Sequence, residues 1–294
     1  MPELPDIAVY LDCLAPRVLR QPLTCLTLKT PFVLRTVAPS TSDVEGKFVT
    51  ELRRVGKRIV LGLEDEVFVV IHLMIAGRLR WRAPGAKSPR GHVLAAFTFP
   101  TGVLTLTEAG TTRRASLHIL RGEAALRSFD RGGLEPLGAD RTAFAERLRS
   151  ENHTVKRALT DPRLLSGIGN AYSDEILHRA RLSPLTLTSR LTSDDITLLY
   201  DATRAVLTEW MARLRAEVSD GFPETVTAFR EGMAVHGRFG RPCPVCGSPV
   251  QRIRYAANET NYCARCQTGG RRLADRALSR LLKQDWPRSI DEVE

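Results

Sequence analysis

Two Cys-x2-Cys pairs near the C-terminus limit what this chain can fold into more than any other feature. They read Cys243-x2-Cys246-x16-Cys263-x2-Cys266. Each pair makes a knuckle whose sulfurs converge, and two knuckles close a tetrahedron around one Zn²⁺. Four thiolates leave the metal no open position, so the ion is structural and this part of the chain is a small finger. The sixteen residues between the pairs, GSPVQRIRYAANETNY, predict a hairpin, and Arg252 and Arg254 on it suit phosphate contact. The other two cysteines, Cys13 and Cys25, lie far apart among apolar residues and are expected to behave as small buried hydrophobes. Clustering of this kind favours metal over disulfides.

The remaining chain is large enough for about two domains, with 294 residues of which 43% are hydrophobic. The net charge of +10 and pI of about 9.7 favour a polyanion, DNA or RNA before an acidic membrane. No apolar run approaches the roughly 18 to 20 residues of a transmembrane helix. The opening MPELPDIAVY is too polar and too short for a secretory signal. A soluble, intracellular protein is expected, nucleoid-associated if bacterial.

From Leu4 to about Leu19, Ile7, Tyr10, Leu11, Leu14 and Val18 recur at helical spacing. Pro5 suits a first helical turn, where a missing N–H costs nothing, and Pro16 is expected to kink or end the helix. Between residue 23 and about 120, short runs such as KRIVLGLE, VFVVIHLM, VLAAFTF and VLTLTE are punctuated by Gly and Pro. They predict a β-sandwich or barrel. From about Pro136 the pattern turns helical, and after Cys266 a last amphipathic stretch, RRLADRALSRLLKQDW, predicts a helical tail. The fold class is α+β, with four segments: 1–133 β-rich, 134–240 helical, 241–267 finger and 268–294 tail.

Two further stretches carry chemistry. In LLSGIGNAYSDEIL (164–177), Gly167 and Gly169 allow a tight turn, and Asn170 lies where a new helix begins. Backbone N–H groups at such a start can face a phosphate. In the opening stretch, methionine before a small residue is readily removed, which leaves Pro2 as a secondary amine. An α-amino group titrates near 7.7–8.0 against about 10.4 for lysine, so far more of it is neutral and nucleophilic at pH 7. A helix starting at Pro5 lowers that value further. Attack on a sugar C1′ then gives an iminium ion, with Glu3 placed to shuttle protons.

Together these motifs resemble the Fpg/Nei family, the formamidopyrimidine-DNA glycosylase and endonuclease VIII group. PELPD, RRVGKRIVL, HLMIAGRLR, TTRRAS, VKRALTDPRLLSGIGNAYSDEIL, HGRFGRPCPVCG and NYCARCQ stand in the family's order, to about residue 267. The resemblance implies an N-terminal helix on a β-sandwich, a helix-two-turn-helix domain and a zinc finger, with DNA held between domains. It implies a bifunctional DNA glycosylase and AP lyase, monomeric on damaged double-stranded DNA, with one structural zinc and no membrane association. It assigns Pro2 as nucleophile, Glu3 as general acid and Lys57 as a phosphate-contacting lysine that assists the chemistry. His72, Met74, Ile75, Arg113, Arg114, Lys156 and Asn170 become DNA contacts, and Glu175 a structural acid.

Several positions depart from the family pattern. Asp6 replaces a glutamate in PELPE and reads as a first hint of an altered substrate. In the void-filling triad Ile75 takes the methionine position, with Met74 one step away, and Ala115 takes the aromatic position, losing a stacking surface. The segment GFPETVTAFREGMAVHGR is shorter than the loop that caps the flipped base in the 8-oxoguanine enzymes. Asn258 stands where a finger arginine is expected. These changes argue against a lesion range restricted to 8-oxoguanine. A DNA-binding protein of the same fold without base excision is the alternative reading.

Overall fold

Both prolines of the first helix lie at its ends. Helix α1 runs from Leu4 to Val18 with Pro5 in its first turn and Pro16 inside its last. The ring disrupts only the end of the helix, because Leu19 N–H still bonds Ala15 O at 3.2 Å. The computed structural model describes the chain apart from residues 87–91, 110–111, 225, 227–228, 256–257, 275–280, 282–286 and 293–294. It forms two compact units, Met1–Arg131 with Trp210–Thr227, and Gly132–Glu209 with Ala228–Glu294.

The first unit is a β-sandwich carrying α1. Its strands are β1 (Cys25–Leu28), β2 (Val49–Val55), β3 (Arg58–Leu63), β4 (Val67–His72), β5 (Gly77–Arg82), β6 (Val93–Phe99), β7 (Gly102–Glu108) and β8 (Ser116–Arg121). One antiparallel sheet has the order β1-β6-β7-β5 and the other β2-β3-β4-β8. Ile59 pairs with Ile71, Leu61 with Val69 and Leu63 with Val67, and all six face the main core. Ile7, Tyr10, Leu14 and Val18 of α1 enter the same core with no exposed surface. Removing such a side chain costs about 2–5 kcal/mol, as in a Leu14→Ala change. The alternate residues Val60, Phe68 and Val70 pack instead with Leu120 and with Leu126 of the short helix α2 (Glu123–Arg127). Both faces of β3 and β4 are covered, which is why they read as continuous apolar runs rather than alternating ones.

The second unit is built on helices α3 (Arg141–Arg149), α4 (Val155–Thr160) and α5 (Asn170–Arg179), and on most of α6 (Ser193–Val218). Asp140 caps α3 by accepting from Ala143 N–H at 2.8 Å, and Thr154 caps α4. Gly167, at φ +81°, turns the chain between α4 and α5 where an L-side chain would be strained. The finger hairpin pairs β9 (Gln251–Tyr255) with β10 (Asn258–Tyr262) antiparallel and leads into α7 (Ala264–Thr268).

Beyond α7 the described residues form an extended bridge, Arg271 to Ser289, and a short 3-10 turn at Ile290–Glu292. Ile290 is buried against Ile253, Tyr262, Ala264 and Leu273. Most of the expected tail helix, 275–280 and 282–286, lies outside the described residues. Cys13 and Cys25 are half-buried rather than buried. Among the described residues no helix is long and apolar enough to cross a membrane.

Candidate active site and nucleic-acid interface

The amino terminus is packed into the first unit. Pro2 is buried and Glu3 is 3% exposed. Asp6, also buried, accepts from the Glu3 backbone N–H at 2.8 Å. Its side chain thus has a local capping role at the start of α1. Burial lowers the pKa of the terminal amine. Glu3 and Asp6 act against that shift, and Arg78 and Lys57 act with it. Four charged side chains thus converge on the terminus. The amine in this group belongs to Met1, and the Pro2 nitrogen lies one residue deeper.

Two turns bring the basic partners in. Val55 pairs with Arg58, so Gly56 and Lys57 form the tip of the β2–β3 hairpin, with Gly56 at φ +60°. The β4–β5 turn holds His72 to Gly77. Gly77 N–H bonds Leu73 O at 2.9 Å, and a Cβ on Gly77 would lie 2.2 Å from that oxygen. Arg78 Nη1 donates to the carbonyls of Ile75 (3.1 Å) and Gly77 (2.7 Å) and so fixes the turn. Met74, at φ +52°, is half-buried, and Ile75 is 61% exposed at the tip. Burial, with help from Arg58, Lys57 and His118, holds the His72 imidazole down at about 4. His72 is neutral at physiological pH and offers a hydrogen bond without a charge.

A third turn carries Arg113 and Arg114, both exposed. Glu108, only 1% exposed, accepts from the backbone N–H groups of Arg114 (2.8 Å) and Ala115 (2.9 Å). The same residue pairs with Gly77 across β7 and β5, so one strand position ties both turns together. The sequence reading missed Glu108 and Arg78. A carboxylate closing the apolar run VLTLTE was the available signal, because such a group needs buried donors.

In the second unit Lys156 and Asn170 come together, but with their donors turned inward. Lys156 Nζ donates to Asn170 O (2.8 Å) and to Asp174 Oδ1 (2.5 Å), and its side chain is 11% exposed. Asn170 begins α5 as expected, while its Nδ2 donates to Glu259 O at 2.7 Å. These bonds tie Lys156 and Asn170 to α5 and to the hairpin. Arg252 stacks over Phe239 at 4.0 Å, and both Arg252 and Arg254 pair with Glu259. The finger's basic pair is thus partly neutralised by its own hairpin. Asn258 pairs with Tyr255 through the backbone.

Glu175 is the hub of this unit. Oε1 accepts from Val235 and His236 N–H at 2.9 Å, and Oε2 from Ala234 N–H at 2.7 Å. Burial pushes its carboxyl pKa up, and the three N–H groups oppose that. Beside it Asp174 pairs with His236 Nδ1 at 2.7 Å.

The four finger cysteines meet the requirements of zinc. Their sulfurs lie within 4.8 Å of one another, with Cys243–Cys266 at 3.9 Å and Cys246–Cys263 at 3.4 Å. A tetrahedron with bonds of about 2.3 Å spaces its sulfurs about 3.8 Å apart. Burial drives the Cys263 and Cys266 thiols up, Cys266 to about 11, so a dication is what makes those two stable as thiolates. His178 of α5, pushed down to about 4 by burial, places Nε2 3.3 Å from Cys243 Sγ. As the Nε2–H tautomer it donates to the ligand sulfur and steadies it.

Comparison with known proteins agrees with this geometry. Residues 1–114 match the formamidopyrimidine-DNA glycosylase N-terminal domain, 133–219 its H2TH domain, and 240–269 the zinc finger found in FPG and IleRS. The formamidopyrimidine-DNA glycosylases of Chloroflexus aurantiacus and Thermus thermophilus are each 34% identical. Those alignments cover 91% and 92% of this chain and 98% and 100% of the relatives. An uncharacterized formamidopyrimidine-DNA glycosylase-like protein of Mycobacterium tuberculosis is 40% identical over 151 residues, 51% of this chain and 94% of that protein. The Lactococcus lactis enzyme, solved with a Fapy-dG-containing DNA, superposes with a TM-score of 0.80 at 25% identity, over 90% of this chain and all of that one. The chain belongs to the formamidopyrimidine-DNA glycosylase family. It is a DNA glycosylase of base-excision repair, with a four-cysteine site for one structural zinc.

Proposed function

We propose that this chain is bifunctional, excising a damaged base through Pro2 and then nicking the strand by β,δ-elimination. The observation that carries the reading is the buried terminus, with Glu3, Asp6, Arg78 and Lys57 acting on its amine. Burial, with Arg78 and Lys57 acting against Glu3 and Asp6, lowers the pKa of the terminal amine, and that favours a neutral, nucleophilic nitrogen. Its lone pair forms a bond to C1′ as the glycosidic bond breaks and the base leaves with a proton. Glu3 protonates the opening sugar-ring oxygen, and the nitrogen loses its own proton to give the iminium. That iminium acidifies C2′, so loss of a C2′ proton expels the 3′ phosphate. A second elimination expels the 5′ phosphate. Lys57, at its hairpin tip, holds a phosphate during these steps.

Contact with the DNA falls to the three turns of the first unit. Ile75 and Met74 form an aliphatic wedge, Arg113 and Arg114 meet backbone and base edges, and neutral His72 donates a hydrogen bond. In the second unit, Arg252 and Arg254 contribute what charge Glu259 leaves. An aliphatic wedge and a short capping segment support a lesion range wider than 8-oxoguanine. The enzyme acts as a monomer on damaged duplex DNA.

Borohydride reduction on abasic DNA tests this reading. Wild type is expected to give a covalent adduct, lost in Pro2→Gly and in a variant that retains Met1. An equal adduct in both variants would remove Pro2 from the mechanism. Tight binding to abasic DNA with no adduct at all would leave a binding protein of the same fold.

A further inference from the structure

Ala115 stands where the family resemblance places an aromatic wedge, and the fold takes it off the surface. It is 3% exposed, and its N–H is held by Glu108. A cavity of about 440 Å³ opens beside it, lined by Phe32, Val33, Arg35, Leu94, Arg113 and Ala115. One wall is an aromatic ring in an unusual state: Phe32 is 78% exposed.

The backbone beneath that ring is fixed on both sides. Phe32 sits in a 3-10 turn, Pro31–Val33, whose Val33 is buried in the main core. Lys29 N–H bonds Leu94 O at 2.9 Å, and Arg35 N–H bonds Leu117 O at 2.8 Å. Ile119 N–H donates to Thr36 Oγ1 at 2.9 Å. A large apolar ring is therefore displayed to solvent from a segment stapled to β6 and β8. Aromatic side chains with two rotatable angles lose little entropy on contact, and a fixed backbone reduces the loss further.

The chemistry around the ring selects an occupant. Arg35 and Arg113 border the cavity, and the chain carries a net charge of +10. An aromatic face, two guanidinium groups and aliphatic side walls match a nucleobase on a charged backbone. The base stacks on the ring, and the arginines take phosphate oxygens or base-edge acceptors. Arg113 belongs to the turn that Glu108 links to the Ile75 wedge, so the cavity lies beside the position where a base pair is opened.

We propose that Phe32 is the stacking platform for the undamaged base left without a partner when the opposite nucleotide is flipped. It supplies the aromatic surface that position 115 lacks, and with Arg113 it sets the preference for that base. The inference rests on the glycosylase reading above and adds a specificity-determining residue to it.

The test uses the full chain and a duplex carrying a tetrahydrofuran abasic-site analogue opposite 5-iodouracil. Irradiation couples the iodinated base to an aromatic ring stacked on it, and mass spectrometry locates the attachment. Attachment at Phe32 is expected. Phe32→Ala should weaken binding of that duplex about 5- to 150-fold, the range of one base–aromatic stack. Phe32→Tyr should restore it, and borohydride trapping on single-stranded abasic DNA should be unchanged in both. The ring is exposed, so neither variant threatens folding. Attachment at another residue, or none, would overturn the proposal, as would equal duplex binding by Phe32→Ala. Those outcomes with trapping intact leave the Pro2 mechanism standing. Attachment at Phe32 without trapping supports the platform and removes the mechanism.

Discussion

Glu175 offers the sharpest quantitative test of how the second unit is held together. Glu175→Ala removes the acceptor of three backbone N–H groups at once. Val235 is fully buried and His236 is 7% exposed, so their N–H groups find no water, whereas half-buried Ala234 can be rehydrated. Each buried donor left unpaired costs about 1–3 kcal/mol. Against that total of roughly 2–6 kcal/mol stands relief from burying a carboxyl, which leaves about 2–4 kcal/mol. Glu175→Gln behaves differently for a geometric reason. Oε1 alone serves Val235 and His236, so an amide that keeps its oxygen there preserves both bonds. Only the Ala234 N–H then meets an N–H₂ group, and the cost should stay near 1 kcal/mol. Hydrogen exchange reads this directly. In Glu175→Ala, amides 235 and 236 should exchange roughly 30- to 900-fold faster, and in Glu175→Gln about fivefold faster. Equal effects of the two substitutions, or less than a threefold change in Glu175→Ala, would refute the argument.

Three other outcomes follow from the geometry. Chelation of zinc should unfold the finger and also accelerate exchange in α5, because His178 touches Cys243; protection in α5 that survives chelation would contradict that coupling. Glu108→Ala, which strips the acceptor from Arg114 and Ala115 N–H, should lower first-unit stability by about 1–3 kcal/mol, measured by urea denaturation, with Glu108→Gln recovering part of it. His72 titrates at about 4 in the folded chain against 6.5 when free, so the unfolded chain binds more protons between those values. Stability is intact above pH 6.5 and falls as the pH drops towards 4, by roughly 2–3 kcal/mol from this residue, and His72→Gln should flatten that part of a urea-midpoint profile.

Much of this was legible in the residues alone. The cysteine spacing gave the metal site because four thiols at those intervals have few other uses. Period-two and continuous apolar runs gave the strands, and the continuous ones reported sheets covered on both faces. What stayed hidden depends on partners distant in sequence. Nothing near Lys156 in sequence shows that Asp174, eighteen positions on, closes on it at 2.5 Å. Arg252 and Arg254 look free until the returning strand brings Glu259 alongside. The capping of Glu3 N–H by the Asp6 carboxylate shows only once the helix start is built. Phe32 sits in TPFVLR, where nothing marks it as exposed rather than core, since only the fold turns Val33 in and Phe32 out.

The grip of α5 on the finger has a consequence for modularity. Asn170 bonds the hairpin at Glu259, Glu175 binds the strand of chain leading to the first knuckle, His178 touches a ligand cysteine, and Gln267 returns a bond to Leu182 O at 2.8 Å. A graft of residues 240–269 onto another scaffold would leave these groups behind and carry the metal site away from the helix that shapes it. The finger is a portable motif in sequence, yet in this protein it is cut from the same piece as the helix, and an engineer exchanging one must exchange both.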